Sequence, residues 1–277
     1  MTLKSKLYSL GLFAFLSGLV FTGCQDMERP PLGDYIQDAN EVGGPLKFFT
    51  AFEGTDVDSI RATFGTPTNA KYSAGISGQA YQGDTTANII YAGANDFSKS
   101  TSFTVAFWMK KKAHKNNAQF VFALPTSTDI WHKSEMFMLI ENIGQSSGDS
   151  LPAKFLVKDQ WFEFTNQYRL PKGLDGNWHH LAFVYDETTS KLTTYWDGAA
   201  RTGLPASKTD VLNAGKPRGP INFTNVTKFI IGGPSATALG STPDAWMTQY
   251  DGQLDQFRMY GTALTSAEIL TLYTKKQ

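Results

Sequence analysis

Between residues 46 and 262 the chain alternates short apolar runs with clusters of Gly, Asn, Asp, Ser and Pro, and no long run keeps a helical period. This punctuation predicts an all-β domain of short strands. In Phe103-Thr-Val-Ala-Phe-Trp-Met109 the alternation places Phe103, Val105, Phe107 and Met109 on one face. Residues 119–124 and 135–140 read as two further strands. Residues 154–157 and 161–164 flank Lys158-Asp159-Gln160 as a hairpin, and 180–185 pair with 191–196 across a longer loop. Asp197-Gly198 supplies a turn, and 228–231 and 253–260 are two late strands. The period then changes. Thr265-Ser-Ala-Glu268 has the form of a capping box, and Ile269, Leu272 and Tyr273 follow at helical spacing. One short terminal helix is predicted. Residues 46–277 read as one domain.

The first 45 residues have another character. Lys4 and Lys6 precede an uncharged, mostly apolar run over 7–21. A membrane-spanning helix needs about 20 apolar residues, so the run suits the core of a signal peptide. It ends in Phe21-Thr-Gly-Cys24, which resembles a bacterial lipobox with Phe21 in the place of the usual Leu. The resemblance implies a signal peptide over 1–23, cleavage before Cys24, and a diacylglycerol on its thiol. The alternative is an ordinary signal peptide with an incidental Cys. Residues 25–45 are polar, with three Pro and three Gly, and read with Cys24 as a flexible tether over 24–45. Asp26 and Glu28 resemble the surface-export signals of Bacteroidetes lipoproteins. That implies an anchored protein at the outer membrane and cell surface.

Composition narrows the function classes. Lys plus Arg and Asp plus Glu are both 25, so there is no basic excess for nucleic acid. Cleavage would remove Lys4 and Lys6, leaving 23 basic against 25 acidic side chains. The 20 Phe, 11 Tyr and 6 Trp can fill a large core, which excludes a wholly disordered chain. A single Cys makes neither an intramolecular disulfide nor a Cys-based zinc site.

Several segments together resemble the concanavalin A-like lectin/glucanase superfamily in its LamG-like branch. They are Ser102-Phe-Thr-Val-Ala-Phe-Trp108, then Asn177-Trp-His-His-Leu-Ala-Phe-Val-Tyr-Asp186 with Leu192-Thr-Thr-Tyr-Trp-Asp-Gly198. Ile230-Ile-Gly-Gly233, Tyr250-Asp-Gly-Gln-Leu-Asp-Gln-Phe-Arg-Met-Tyr260 and Ala263-Leu-Thr-Ser-Ala-Glu-Ile-Leu270 complete the set. Phe52-Glu-Gly54 stands as a first strand. The resemblance implies an all-β, two-sheet antiparallel jelly-roll sandwich with closely apposed ends. It also implies a structural Ca2+ held by Glu53 and Asp255 with a backbone oxygen near Gly78. Calcium takes several oxygen ligands, and one carboxylate from each chain end would staple the sandwich. The other reading has Asp255 bonding backbone and Glu53 merely exposed.

Hydrolases of this superfamily carry Glu-x-Asp-x-x-Glu on one strand, and retaining chemistry needs two carboxyl groups about 5–5.5 Å apart. None of the eight Glu begins such a motif, so no hydrolase site of this type is expected. Carboxylates gathered from distant strands are the remaining enzymatic option. His179 and His180 are strand neighbours that point to opposite faces, which suits structure better than joint metal binding. Gly232-Gly233 reads as a turn with no helix after it. Trp108, Trp178 and Trp196 lie in the family-like segments and are expected in the core. Trp131, Trp161 and Trp246 lie outside them, near Asp, His and Gln, with Asn166, Tyr168 and Arg169 further along. An exposed indole with polar neighbours is a platform for a sugar ring, and the competing role is loop anchoring. The expected function is non-catalytic capture of a glycan or polysaccharide at the cell surface. The rival is an interaction module for an envelope protein.

Overall fold

Alternation of inward and outward side chains folds the chain into two large sheets laid face to face. In the computed structural model, the residues described are 43–114, 117–128, 130–141 and 148–276. Cys24, the signal segment and most of the tether lie outside them. The first sheet runs Ala199–Ala200, Lys191–Trp196, Asp175–Asp186, Phe103–Lys112, Gln253–Tyr260, Gln79–Gln82, Lys71–Ala74. Strand Leu46–Thr50 also pairs with Gln253–Tyr260, so the two ends of the domain meet in one sheet. The second runs Gln160–Phe164, Ala153–Val157, Met136–Ile140, Ala118–Leu124, Phe229–Ile231, Asn88–Tyr91, Thr66–Thr68. Its neighbours are antiparallel except Met247–Gln249, which lies parallel to Ala118–Leu124. The architecture is the all-β jelly-roll sandwich expected from the sequence.

The inner faces supply the core. Phe103, Val105, Phe107 and Met109 all point inward and are buried. Phe155 of the second sheet stacks on Phe183 of the first at 4.0 Å and 2°, and Phe107 stacks on Phe257 at 5.2 Å. Losing one such ring typically costs about 3–5 kcal/mol, the transfer and cavity terms together. The hairpin after Trp196 turns at Asp197 (φ 50°) and Gly198 (φ 78°), the positive pair a tight hairpin turn demands. Gly198 is doubly constrained, since a Cβ there would meet Tyr273 at 2.8 Å.

Helix Ser266–Thr274 begins at Thr265, whose hydroxyl accepts from the Glu268 N–H while the Glu268 carboxylate accepts from the Thr265 N–H. Ile269 and Leu272 are buried against Ala106, Ala182, Val184 and Tyr195 on the outer face of the first sheet. Trp108 is buried on that face under Tyr273, ring centroids 5.4 Å apart.

Three expectations need correction. Phe52-Glu-Gly54 is not the first strand: the strand is Leu46–Thr50, and Phe52 (φ 56°) turns the chain so that its ring enters the core. A one-turn helix, Ser235–Ala238, does follow Gly232-Gly233, although four residues are too few to present a dipole-based site. Trp108 and Trp196 are buried, but Trp178 is half-exposed. Its strand neighbour there is Lys110 rather than a residue under the helix.

Candidate functional site

The second sheet also has an apolar outer face. One cross-strand row reads Ile90, Ile230, Ala123, Phe137, Leu156, Trp161. These residues lie opposite the core-facing set because strand side chains alternate. Phe137, Leu156 and Ile230 are fully covered, as is Phe120 in the neighbouring row. Three tryptophans form much of that cover. Trp161 belongs to the row itself. Trp131 comes from the short turn Trp131–Lys133, and Trp246 sits just before Met247–Gln249, held by the Ala118 N–H donating to its carbonyl at 2.7 Å.

Trp131, Trp161 and Trp246, widely separated in sequence, therefore meet. Trp131 lies 5.4 Å from Trp161 and 5.3 Å from Trp246, both edge-to-face. Trp161 packs edge-on to Phe137 at 5.2 Å, and Trp246 lies 6.0 Å from Phe120. Such pairs add about 0.5–1.5 kcal/mol each beyond burial. Trp246 remains 39% exposed, and Trp131 and Trp161 are half-buried. The cluster both anchors its loops and leaves indole surface exposed. Asn166, Tyr168 and Arg169 are not among the residues that pack with this cluster, and Arg201 donates to the carbonyls of Tyr168 and Arg169.

Polar groups rim the rings. His132 packs edge-on to Trp131 at 5.1 Å. It opens a cavity of about 340 Å³ that is also lined by the Lys158–Glu135 and Arg218–Asp159 ion pairs. On the other side, Lys154 lies over Trp161 at 5.6 Å and bridges Glu141 and Glu163, the latter at 2.9 Å. Burial works against the Lys154 charge, but hydrogen bonds to the two glutamates outweigh it and raise its pKa. Two carboxylates converge here with an ammonium between them, Glu163 from strand Gln160–Phe164 and Glu141 from just past strand Met136–Ile140. His132 is the sequence neighbour of Trp131 and was part of its polar company, whereas Lys154, Glu141 and Glu163 were not singled out, since only register brings them beside Trp161.

Glu53 and Asp255 also meet, at the loop between strands Lys71–Ala74 and Gln79–Gln82. Asp255 Oδ2 accepts from the amides of Ile76 and Ser77, and Glu53 accepts from Gln79. A Cβ on Gly78 would lie 2.2 Å from the Glu53 carboxylate, so only glycine admits it. The Gly78 carbonyl is engaged by the Gly75 N–H. Asp255 Oδ1 is buried with no hydrogen-bond partner. Burial pushes the Asp255 carboxyl up to about 6, and the Glu53 charge adds to this against its amide bonds. These groups fit a cation: two carboxylates converge and one buried oxygen lacks a partner. Among the described residues no cluster of three His, Cys, Asp or Glu side chains occurs, so backbone oxygens or water would complete the shell.

His179 is clamped between two aspartates. Nδ1 lies 2.8 Å from Asp197 and Nε2 lies 3.3 Å from Asp175, so both nitrogens are engaged. His180 points to the other face and is fully buried.

The comparisons with known proteins agree with the fold. A family model, Laminin_G_3 of the concanavalin A-like lectin/glucanases superfamily, matches residues 83–270. A search of curated protein sequences gave no match. Among solved structures, the chain is similar to domain 4 of AbnA, a GH43 extracellular arabinanase from Geobacillus stearothermophilus solved with arabinotriose. The TM-score is 0.50 at 18% identity, covering 82% of this chain and 98% of that one. It is also similar to a botulinum neurotoxin type C structure whose report ties cell entry to two ganglioside molecules. There the TM-score is 0.54 at 11% identity, covering 85% of this chain and 52% of the other.

Proposed function

The chain belongs to the Laminin_G_3 family of the concanavalin A-like lectin/glucanases superfamily, and from that premise we propose that it is a non-catalytic glycan-binding lipoprotein of the cell surface. Cys24 carries the lipid, and residues to 45 tether the sandwich to the outer membrane. The observation that carries the glycan reading is the meeting of Trp131, Trp161 and Trp246 on one sheet face. Their exposed indole surface stacks on the apolar face of a pyranose, and His132, Lys154 and the polar cavity beside Trp131 take its hydroxyls. The similarity of fold to an arabinanase domain solved with arabinotriose supports the ligand class without naming the sugar. A structural calcium at Glu53 and Asp255 would hold the two chain ends together and draw the Asp255 carboxyl back to its charged form.

The test is affinity electrophoresis through gels carrying different polysaccharides, with reducing-sugar assay of each. We expect saturable retardation by at least one polysaccharide, no sugar release, and loss of retardation in Trp131→Ala/Trp246→Ala. Sugar release would replace the reading with a hydrolase. No retardation across the panel would leave an envelope protein as the partner. For the anchor, Cys24→Ala should move the protein out of the membrane fraction; persistence there would remove the lipoprotein assignment.

A further inference from the structure

The outer face of the first sheet is not all covered by the helix. Beyond Trp108 and Asp255, the next cross-strand row reads Trp178, Lys110, Gln253, Gln82. Their strand neighbours Met109, Leu254 and Tyr81 face the core, so these four face outward. Lys110 Nζ lies 6.0 Å from the Trp178 ring centre, and Trp178 keeps part of its surface open. Lys112, one step further along the strand, is exposed with its stem packed beside Gly176, where a Cβ would come within 3.1 Å of Cε. Gln82, Lys110, Lys112 and Gln253 border an open cavity of about 230 Å³, and Trp178 stands next to it beside Lys110.

The charge there is unbalanced. Lys111 points inward and takes the only aspartate of the lining, Asp251, as its ion-pair partner. Asp175, level with Lys112 in the register, is turned to Asn177 and His179. Among the described residues neither Lys110 nor Lys112 forms an ion pair. Gln253 donates its amide N–H to Ser73 and Gln82 donates to the Gly83 carbonyl, which leaves both amide oxygens as acceptors.

We propose that this groove is a second saccharide site, selective for an acidic sugar residue. Trp178 carries the sugar ring, Lys110 and Lys112 pair with its negative group, and the Gln82 and Gln253 oxygens accept from its hydroxyls. The volume falls below the roughly 300–1,000 Å³ of drug-sized pockets, so it takes one residue of a chain. Lysine pairs as a point charge, so the anion is a carboxylate, as in a uronate, or a sulfate ester. The site shares no residue with the Trp131 cluster, and either site can fail alone.

The experiment is calorimetric titration of the protein with trigalacturonate, its methyl ester, and a sulfated trisaccharide of similar length. Saturable binding of trigalacturonate or the sulfated sugar is expected, and whichever binds names the anion. The neutral ester should bind at least tenfold more weakly. Lys110→Gln/Lys112→Gln and Trp178→Ala should each lose at least tenfold in affinity with unchanged melting temperature. Trp131→Ala/Trp246→Ala should bind the acidic sugar as the parent does. Three results would overturn the proposal: no saturable binding of either anionic sugar at millimolar concentration, equal binding of the ester, or full affinity in Trp178→Ala. The last would mean diffuse attraction to lysines rather than a site.

Discussion

On the outer face of the first sheet, Ala106, Ala182, Val184 and Tyr195 are closed over by Ile269 and Leu272 from one continuous helix. On the outer face of the second sheet, Phe120, Phe137 and Leu156 are closed over largely by three indoles from separate parts of the chain. Both covers solve the same problem, since each would otherwise expose an apolar patch. They leave different surfaces. The helix turns Glu268, Thr271 and Thr274 outward with a single exposed Leu270 among them, and no aromatic ring faces water there except the partly covered Tyr273. The tryptophans leave part of their indole surface in water, rimmed by His132 and Lys154. A cover made of rings can shed water onto a sugar; a cover made of a helix is already satisfied.

The most severe way to break this comparison is to remove what lies beneath each cover. Phe137→Ala removes a fully buried ring that supports Trp131 and Trp161, and should cost about 3–5 kcal/mol of unfolding free energy. Ile269→Ala should cost about 2–5 kcal/mol. Urea unfolding curves at constant m-value measure both. The informative difference is in binding. Phe137→Ala should weaken glycan affinity as well, and Ile269→Ala should not. Equal effects on affinity would dissolve the distinction between the two faces.

The adjacent histidines give the next largest effect, with opposite signs. For His179, burial opposes charge, but Asp197 and Asp175 win and raise its pKa. Its stabilisation is complete below the unfolded value near 6.5 and is lost as pH rises through the raised folded value. For His180, burial, aided by the Arg258 charge, holds the pKa down at about 3. Its folded form is neutral, so stability is lost as pH falls from about 6.5 toward 3. Together they predict a dome with its top near neutrality. In thermal unfolding across pH, His179→Gln should flatten the alkaline side relative to the parent and His180→Leu should flatten the acid side. A single-sided change in either variant's opposite arm would refute the assignment.

How much of this the sequence disclosed depends on whether the signal was local. The Thr265–Glu268 cap, the alternation of residues 103–109 and the two hairpins are written in neighbouring residues, and each stands where it was expected. The segment around Phe52 misled because a left-handed residue between strand and loop has no apolar signature. The likeness of Glu53 and Asp255 to a family pattern suggested their meeting, but the engaged Gly78 carbonyl lay beyond any pattern. The tryptophans were picked out singly, by polar company and by lying outside the family-like segments. That they form one cluster was not legible, because it depends on which strands become neighbours. The half-exposed Trp178 was hidden for the same reason, since strand length and helix placement decide where the first sheet's cover stops.

A smaller effect sharpens the role of the chain ends. Calcium added to metal-stripped protein should raise stability by about 2.7 kcal/mol at a hundredfold excess over its dissociation constant. Asp255→Asn should abolish the rise while leaving the Trp131 face unchanged in glycan binding. An unchanged melting temperature on calcium addition to the parent would leave Asp255 as a backbone-bonding residue only.

The smallest change asks whether the two faces communicate. Helix Ser266–Thr274 has nine residues, and an isolated helix of fewer than about 12–15 is marginal in water. Its stability therefore comes from docking on the first sheet together with the Thr265–Glu268 cap. Thr265→Ala removes the hydroxyl acceptor and should cost about 1 kcal/mol. If the domain unfolds as one unit, that cost appears in the global unfolding midpoint rather than as early fraying seen by hydrogen exchange in the helix alone. Because the helix docks on the first sheet's outer face, away from the tryptophans, glycan affinity there should be unmoved. A loss of affinity in Thr265→Ala would mean that the helix sets the spacing of the opposite sheet through the stacked Phe155–Phe183 core, and that the two covers act as one device.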